Sequence, residues 1–317
     1  MSKKKKNKPT LNKSNIKKRE ILNCLIFLLV LFSYMLPSHS EDVSKLKEET
    51  KKTDNELNVI ITPENAKQGD VVSVKIEKDS KNNSTPKVFF DKTKYSVFEL
   101  SDKYYRSLLP ITANYKVGKY TIEVFYKGKV KRIDLQVSET KYPLQELTLT
   151  KEVAALQASK IEKDSVNRAL SNFSPKKLWT GKFLNPSTAR QSTIYGVKRK
   201  VNGVINPDYF HKGLDFAAKE GGDIKSPEDG VIVLVGQNSK GFIVNGNCVF
   251  IDHGQSVISG YLHLSKVLVK EGEFVKKGQI IGKVGSTGIA SGPHLHWGIY
   301  ISGKTVDPVN WTSMIIE

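Results

Sequence analysis

Twenty of the chain's 23 glycines fall between Gly181 and Gly303. The span 181–317 is therefore about 15% glycine, roughly twice the usual share. These glycines cut the sequence into short apolar runs: Val231–Val235, Val249–Ile251, Val257–Leu262, Gln279–Val284 and Leu295–Ile301. Runs this short, closed by turn residues, predict strands joined by tight turns. The expectation for 181–317 is a compact antiparallel all-β domain.

Upstream the pattern is also β, with a different texture. From Leu57 to about Val137, apolar and polar residues alternate, as in Val72, Val74 and Ile76, or Tyr120, Ile122, Val124 and Tyr126. Period-two alternation marks half-buried strands. Turn signals at Gln68-Gly69-Asp70, Val117-Gly118-Lys119 and Lys127-Gly128-Lys129 divide the stretch into roughly seven strands, which fits a small β-sandwich over 57–140. Tyr120 is either a corner tyrosine of such a fold or an ordinary strand residue. Residues 141–180 read as a connector, partly helical, because Lys151–Phe173 has helix formers and no Gly or Pro. Residues 41–56 are charged and polar, a flexible tether.

The formal charge is +18, from 50 Lys+Arg against 32 Asp+Glu. Residues 1–20 carry +8 of it, and Ile21–Leu36 are almost wholly apolar. A basic run before an apolar core reads as a signal peptide or a signal anchor within 1–40, with everything after it exported. That excludes a nucleic-acid role for the lysine run, which stays on the cytoplasmic side. The exported remainder keeps +10, which suits a polyanionic cell envelope. Cys24 lies in the apolar segment and Cys248 in an apolar run, so Cys248 reads as a small buried hydrophobe.

The histidines carry the chemistry. Of six, none lies between residues 40 and 210, and five fall between 211 and 296: His211, His253, His263, His294 and His296. In a strand, His294-Leu295-His296 puts both imidazoles on one face. His211 and Asp215 are separated by Lys212-Gly213-Leu214, so backbone shape must bring them together, and a plain ion pair is their alternative. Two imidazoles and a carboxylate suit Zn²⁺ and leave a fourth position for water, whose pKa the ion lowers to about 7. Asp307-Pro308 and Gly292-Pro293 read as turns.

Phe210–Phe216, Ile251–Gly254, Gly260-Tyr261-Leu262-His263-Leu264-Ser265 and Ser291-Gly292-Pro293-His294-Leu295-His296-Trp297, with Ser192–Gly196, resemble the lysostaphin-like zinc metallopeptidases that cut peptidoglycan. The sandwich and connector resemble the Ig-like amino-terminal region of exported members. The resemblance implies one zinc ion per chain on His211, Asp215 and His296. It implies that His263 and His294 are the catalytic pair, one taking the water's proton and the other donating to the developing oxyanion, in an order left open. His253 receives no chemistry and is expected to be a satisfied core residue. The implied architecture is all-β throughout: an Ig-like sandwich (57–140), a helical connector (141–180) and a zinc peptidase domain (181–317). The implied activity is endopeptidase hydrolysis of peptide cross-links of peptidoglycan in the periplasm or cell envelope, with the chain secreted or anchored in the inner membrane through residues 21–36. A wall-binding regulator without catalysis is the alternative.

Overall fold

The computed structural model describes residues 57–79, 84–148, 150, 157–171 and 173–316. The expected export segment and tether lie outside the described residues. Among the described residues no helix is long and apolar enough to cross a membrane.

The first body contains nine strands among the described residues: β1 (Val59–Thr62), β2 (Asn65–Lys67), β3 (Val71–Glu77), β4 (Lys87–Phe90), β5 (Thr93–Tyr95), β6 (Phe98–Glu99), β7 (Tyr104–Pro110), β8 (Gly118–Tyr126) and β9 (Lys129–Ser138). They form a four-stranded sheet, β1-β3-β7-β6, and a five-stranded sheet, β2-β9-β8-β4-β5. Val72, Val74 and Ile76 from one sheet and Val88, Ile122, Val124 and Leu135 from the other share a single apolar core. The estimate of seven strands missed short pieces such as β2 and β6, which are too brief to show alternation. Tyr120 closes a corner: its hydroxyl donates to the Lys116 carbonyl at 2.6 Å, four residues upstream.

The connector is less independent than its composition suggested. Among its described residues helix α1 runs over Lys160–Ser171, and it packs Val166, Ala169 and Leu170 against Phe242, Cys248 and Phe250. Upstream of it, β10 (Leu144–Leu147) is a strand. It pairs in parallel with β12 (Lys198–Val201), which pairs with β13 (Val204–Phe210).

The remaining strands are β11 (Arg190–Thr193), β14 (Leu214–Ala217), β15 (Asp223–Lys225), β16 (Gly230–Gly236), β17 (Asn247–Asp252), β18 (Val257–Val267), β19 (Phe274–Val275), β20 (Ile280–Val284), β21 (Leu295–Ile301) and β22 (Lys304–Val306). They join in one ten-stranded sheet whose main path is β11-β14-β21-β18-β17-β16-β19, with every pairing antiparallel. Asp307 does not make a simple turn. It caps the short helix α2 (Pro308–Ser313), accepting the Val309 N–H at 2.9 Å, with Pro308 in the first turn where its missing N–H costs nothing.

The two bodies share a core. Val71, Leu108 and Ala113 of the sandwich pack in one apolar cluster with Tyr195, Leu214 and Trp297. Fully buried Arg106 of β7 donates to Gln255 beside β18 and lies 4.8 Å from the centre of the Trp179 ring.

Candidate active site

The central strands bring the site together. Asp215 in β14 stands opposite His296 in β21 in antiparallel register, and Leu262 in β18 stands opposite His296 from the other side. One strand of the sheet thus carries an imidazole between two neighbours that present an acid and, one residue on, another imidazole.

His211 follows β13 and precedes β14. Its main chain is held in register by Gly196 N–H to its carbonyl and by its own N–H to the Val197 carbonyl, both at 2.8 Å. This brings its ring back over Asp215, the backbone shape that spacing alone does not reveal. His211 Nδ1 lies 2.9 Å from the Ile194 carbonyl. A carbonyl only accepts, so Nδ1 carries the proton and Nε2 offers a lone pair. That Nε2 is 3.0 Å from Asp215 Oδ1 and 3.0 Å from His296 Nδ1, and His296 Nδ1 is 2.9 Å from Asp215 Oδ1. All three residues are buried. Burial pushes Asp215 up, but a proton shared among the His211 and His296 rings beside it prevails and holds its carboxyl well below the usual carboxylate range. Burial pushes His296 down to about 4.

The donor set fits a small divalent cation. A lone pair on Nε2 of His211 and an ionised carboxylate converge with an imidazole nitrogen in a buried spot, where only a proton or a cation relieves their mutual repulsion. Donors bound about 2.0–2.1 Å from a tetrahedral centre lie about 3.3 Å apart. The three edges of 2.9–3.0 Å come within a few tenths of an ångström of that spacing.

Two more imidazoles flank this triangle. His263 sits in β18 with φ of 66°, a left-handed backbone uncommon outside glycine. The β17–β18 register shifts there, the signature of a bulge that re-aims a side chain. His263 Nδ1 lies 2.8 Å from the Thr287 carbonyl, and His294 Nδ1 lies 2.9 Å from the Gly292 carbonyl. Each therefore donates its Nδ1 proton to a main-chain carbonyl. The ring centres are 4.8 Å apart, and His294 Nε2 is 3.9 Å from Asp215 Oδ1. Burial, and secondarily the neighbouring His294 and His296, push His263 down to about 3.

His253 stands apart from this group. It is fully buried, with Nδ1 donating to the Asp229 carbonyl at 2.8 Å and Nε2 accepting from the Ser259 hydroxyl at 2.7 Å. Both nitrogens are satisfied, so it serves the core. Cys248 is likewise buried, and burial pushes its thiol up, away from reactivity.

Sequence reasoning passed over the residues that hold the imidazoles. Gly213 is one: a Cβ there would lie 2.3 Å from the Trp297 carbonyl oxygen and 2.9 Å from His296 Nε2. Thr287 and Asn245 are others. They act through main-chain carbonyls, which leave no trace in residue type.

Comparison with known proteins matches residues 209–308 to Peptidase family M23. A metalloprotease of uncharacterised role from Haemophilus influenzae is 41% identical over 123 residues, 38% of this chain and 25% of that protein. The peptidoglycan DD-endopeptidase ShyA of Vibrio cholerae is 37% identical over 144 residues, 45% of this chain and 27% of that protein. The chain thus spans about a quarter of the length of these curated relatives. A solved structure of a candidate M23 peptidase from Pseudomonas aeruginosa superposes with a TM-score of 0.56 at 26% identity, over 78% of this chain and 94% of that one. That coverage exceeds the span of the ten-stranded sheet, so the likeness extends beyond it. The chain carries a domain of peptidase family M23 over residues 209–308.

Proposed function

We propose that this chain is a zinc-dependent endopeptidase that hydrolyses peptide cross-links of bacterial peptidoglycan. The observation that supports it best is the buried triangle of His211 Nε2, Asp215 Oδ1 and His296 Nδ1, with edges of 2.9–3.0 Å, beside two imidazoles whose Nδ1 atoms each face a main-chain carbonyl. His211, Asp215 and His296 hold the ion; His263 and His294 handle protons. Zinc, when bound, supplies Lewis acidity that makes water acidic near neutral pH and polarises a carbonyl.

The chain's own groups do the rest. With Nδ1 fixed as donor to a carbonyl, His263 and His294 each offer a lone pair at Nε2, so either can take a proton from the attacking water. The ring that has done so carries Nε2–H and can return that proton to the nitrogen of the departing amine. The main-chain anchors prevent the rings from rotating between these steps. The sandwich over 57–140 is read as an Ig-like binding or spacer module, and the whole as exported to the periplasm or cell envelope, with Ile21–Leu36 as signal or anchor.

The test is mass spectrometry of muropeptides after digestion of purified sacculi, with metal content measured on the same preparation. We expect cleaved cross-links and about one zinc per chain. Asp215→Ala should lose both zinc and cleavage. His294→Ala should retain zinc and lose cleavage by about 100-fold or more. Intact cross-links alongside stimulation of another hydrolase would favour the regulator instead.

A further inference from the structure

Helix α1, which belongs to the connector by sequence, bonds the segment that holds the His263 main chain. Glu162 lies in its first turn and is fully buried. Ser159 and Glu162 have capping-box spacing, and the Glu162 N–H donates to Ser159 Oγ at 3.0 Å. The carboxylate, however, also reaches across the molecule. Its Oε1 accepts the Asn245 N–H at 2.7 Å and its Oε2 accepts the Val244 N–H at 3.1 Å. A buried carboxylate is costly unless donors converge on it. Here burial raises its pKa, and main-chain N–H groups from Asn245, Val244, Ile243 and Ser159 pull it back down.

The segment that Glu162 grips also supports His263. The His263 N–H leaves the strand ladder and donates to the Asn245 carbonyl at 3.0 Å. The Val244 carbonyl accepts the Ile289 N–H at 2.9 Å. Gly246 and Gly288 pack so closely that a Cβ on Gly288 would lie 2.4 Å from Gly246 N. That second loop contains Thr287, whose carbonyl holds His263 Nδ1. The main-chain anchor of His263 is therefore Asn245 itself, and the ring anchor, which Asn247 and Leu264 also bond through the Thr287 hydroxyl, packs on residues 244–246; Glu162 fixes residues 243–245 from outside the ten-stranded sheet.

We propose that Glu162 is a positioning residue for His263: by holding residues 243–245 it sets where the His263 imidazole points, which makes the connector helix a working part of the site. The effect on rate rests on the endopeptidase reading; the effect on the imidazole does not.

The test uses the full chain with Glu162→Gln, Glu162→Asp and a control, Val166→Ala, which removes buried apolar volume from the same helix. Long-range ¹H–¹⁵N spectra of the histidine rings are recorded on metal-free protein, and kcat and KM are measured on cross-linked muropeptides. In Glu162→Gln the His263 ring signals shift and those of His253 stay. Its kcat falls about 10–100-fold with KM within about twofold. Glu162→Asp, which keeps the charge, recovers part of the rate. Val166→Ala lowers Tm and moves neither readout. Unmoved His263 signals, or an unchanged kcat in an active background, overturn the proposal. If the unaltered chain cleaves nothing, the endopeptidase reading alone fails and the ring spectra decide the positioning. If Glu162→Gln does not fold, the same criteria apply to Glu162→Asp.

Discussion

Gly213 shows how little slack the site has. With the Trp297 carbonyl oxygen 2.3 Å from where its Cβ would stand, Gly213→Ala must push β14 and β21 apart. We expect a loss of about 1–3 kcal/mol in metal-free stability and a zinc affinity about 10–100-fold weaker, read by thermal melts and chelator competition. His253 gives a pH prediction. Its folded pKa is pushed down to about 4 by burial, against about 6.5 unfolded. The unfolded chain therefore binds the proton first, so this contribution is complete above about pH 6.5 and is lost as pH falls towards 4. The full span amounts to about 3 kcal/mol. Denaturation at pH 7.5 and 5.0 should show the loss, and His253→Gln should flatten that part of the slope. At this scale the sequence was most readable where chemistry follows from residue type: the histidine cluster and the His294-Leu295-His296 spacing stand out unaided. What could not be read is which nitrogen each ring presents. That depends on carbonyls of Ile194, Thr287 and Gly292, contributed by distant loops.

Among the elements, legibility followed contact range. The glycine-bounded strands β17 and β21 lie close to their expected spans, because burial on both faces leaves a continuous apolar signal, whereas β18 runs five residues past its expected end to Val267. Strand β10 escaped notice. Its burial alternates weakly and its partner β12 is more than fifty residues away. Helix α1 was expected from composition, but its amphipathic period is weak because one of its inward residues is Glu162, a charged side chain that counts as polar in any pattern. Asp307-Pro308, read as a turn, starts a helix of only six residues, Pro308–Ser313, too few to show a period in the sequence. The corner at Tyr120 is local enough to test alone. Tyr120→Phe keeps the ring contacts with Phe90 and Tyr115 and loses only the bond to Lys116. We expect a cost of about 0.5–1.5 kcal/mol in stability with unchanged hydrolysis, measured by denaturant titration and muropeptide assay.

At the scale of the whole molecule, sandwich and peptidase domain are locked rather than strung together. The Tyr195 hydroxyl accepts the Ala113 N–H at 3.1 Å and donates to the Thr305 carbonyl at 2.8 Å, bridging the two bodies. The Gly69 carbonyl accepts the Asp307 N–H at 2.9 Å, and Gln255 Nε2 donates to the Glu99 carbonyl at 2.7 Å. Calorimetry should therefore record one unfolding transition, and Arg106→Ala should lower it as a unit, by about 2–4 kcal/mol. None of these pairings is visible in a linear reading, because each joins residues at least 82 positions apart. The net charge is visible there, with +10 outside residues 1–40; under the proposed function, attraction to an anionic wall should weaken as salt rises, a trend that sedimentation with sacculi would measure. The carbonyl anchors have a wider consequence. A peptide oxygen is present whatever side chain its residue bears; Ile194 is exposed, and a Cβ at Gly292 would meet open space. At Ile194 and Gly292, side chains can thus be exchanged for others without disturbing the aim of the rings they anchor, which leaves the outer surface there free to vary while the centre stays fixed.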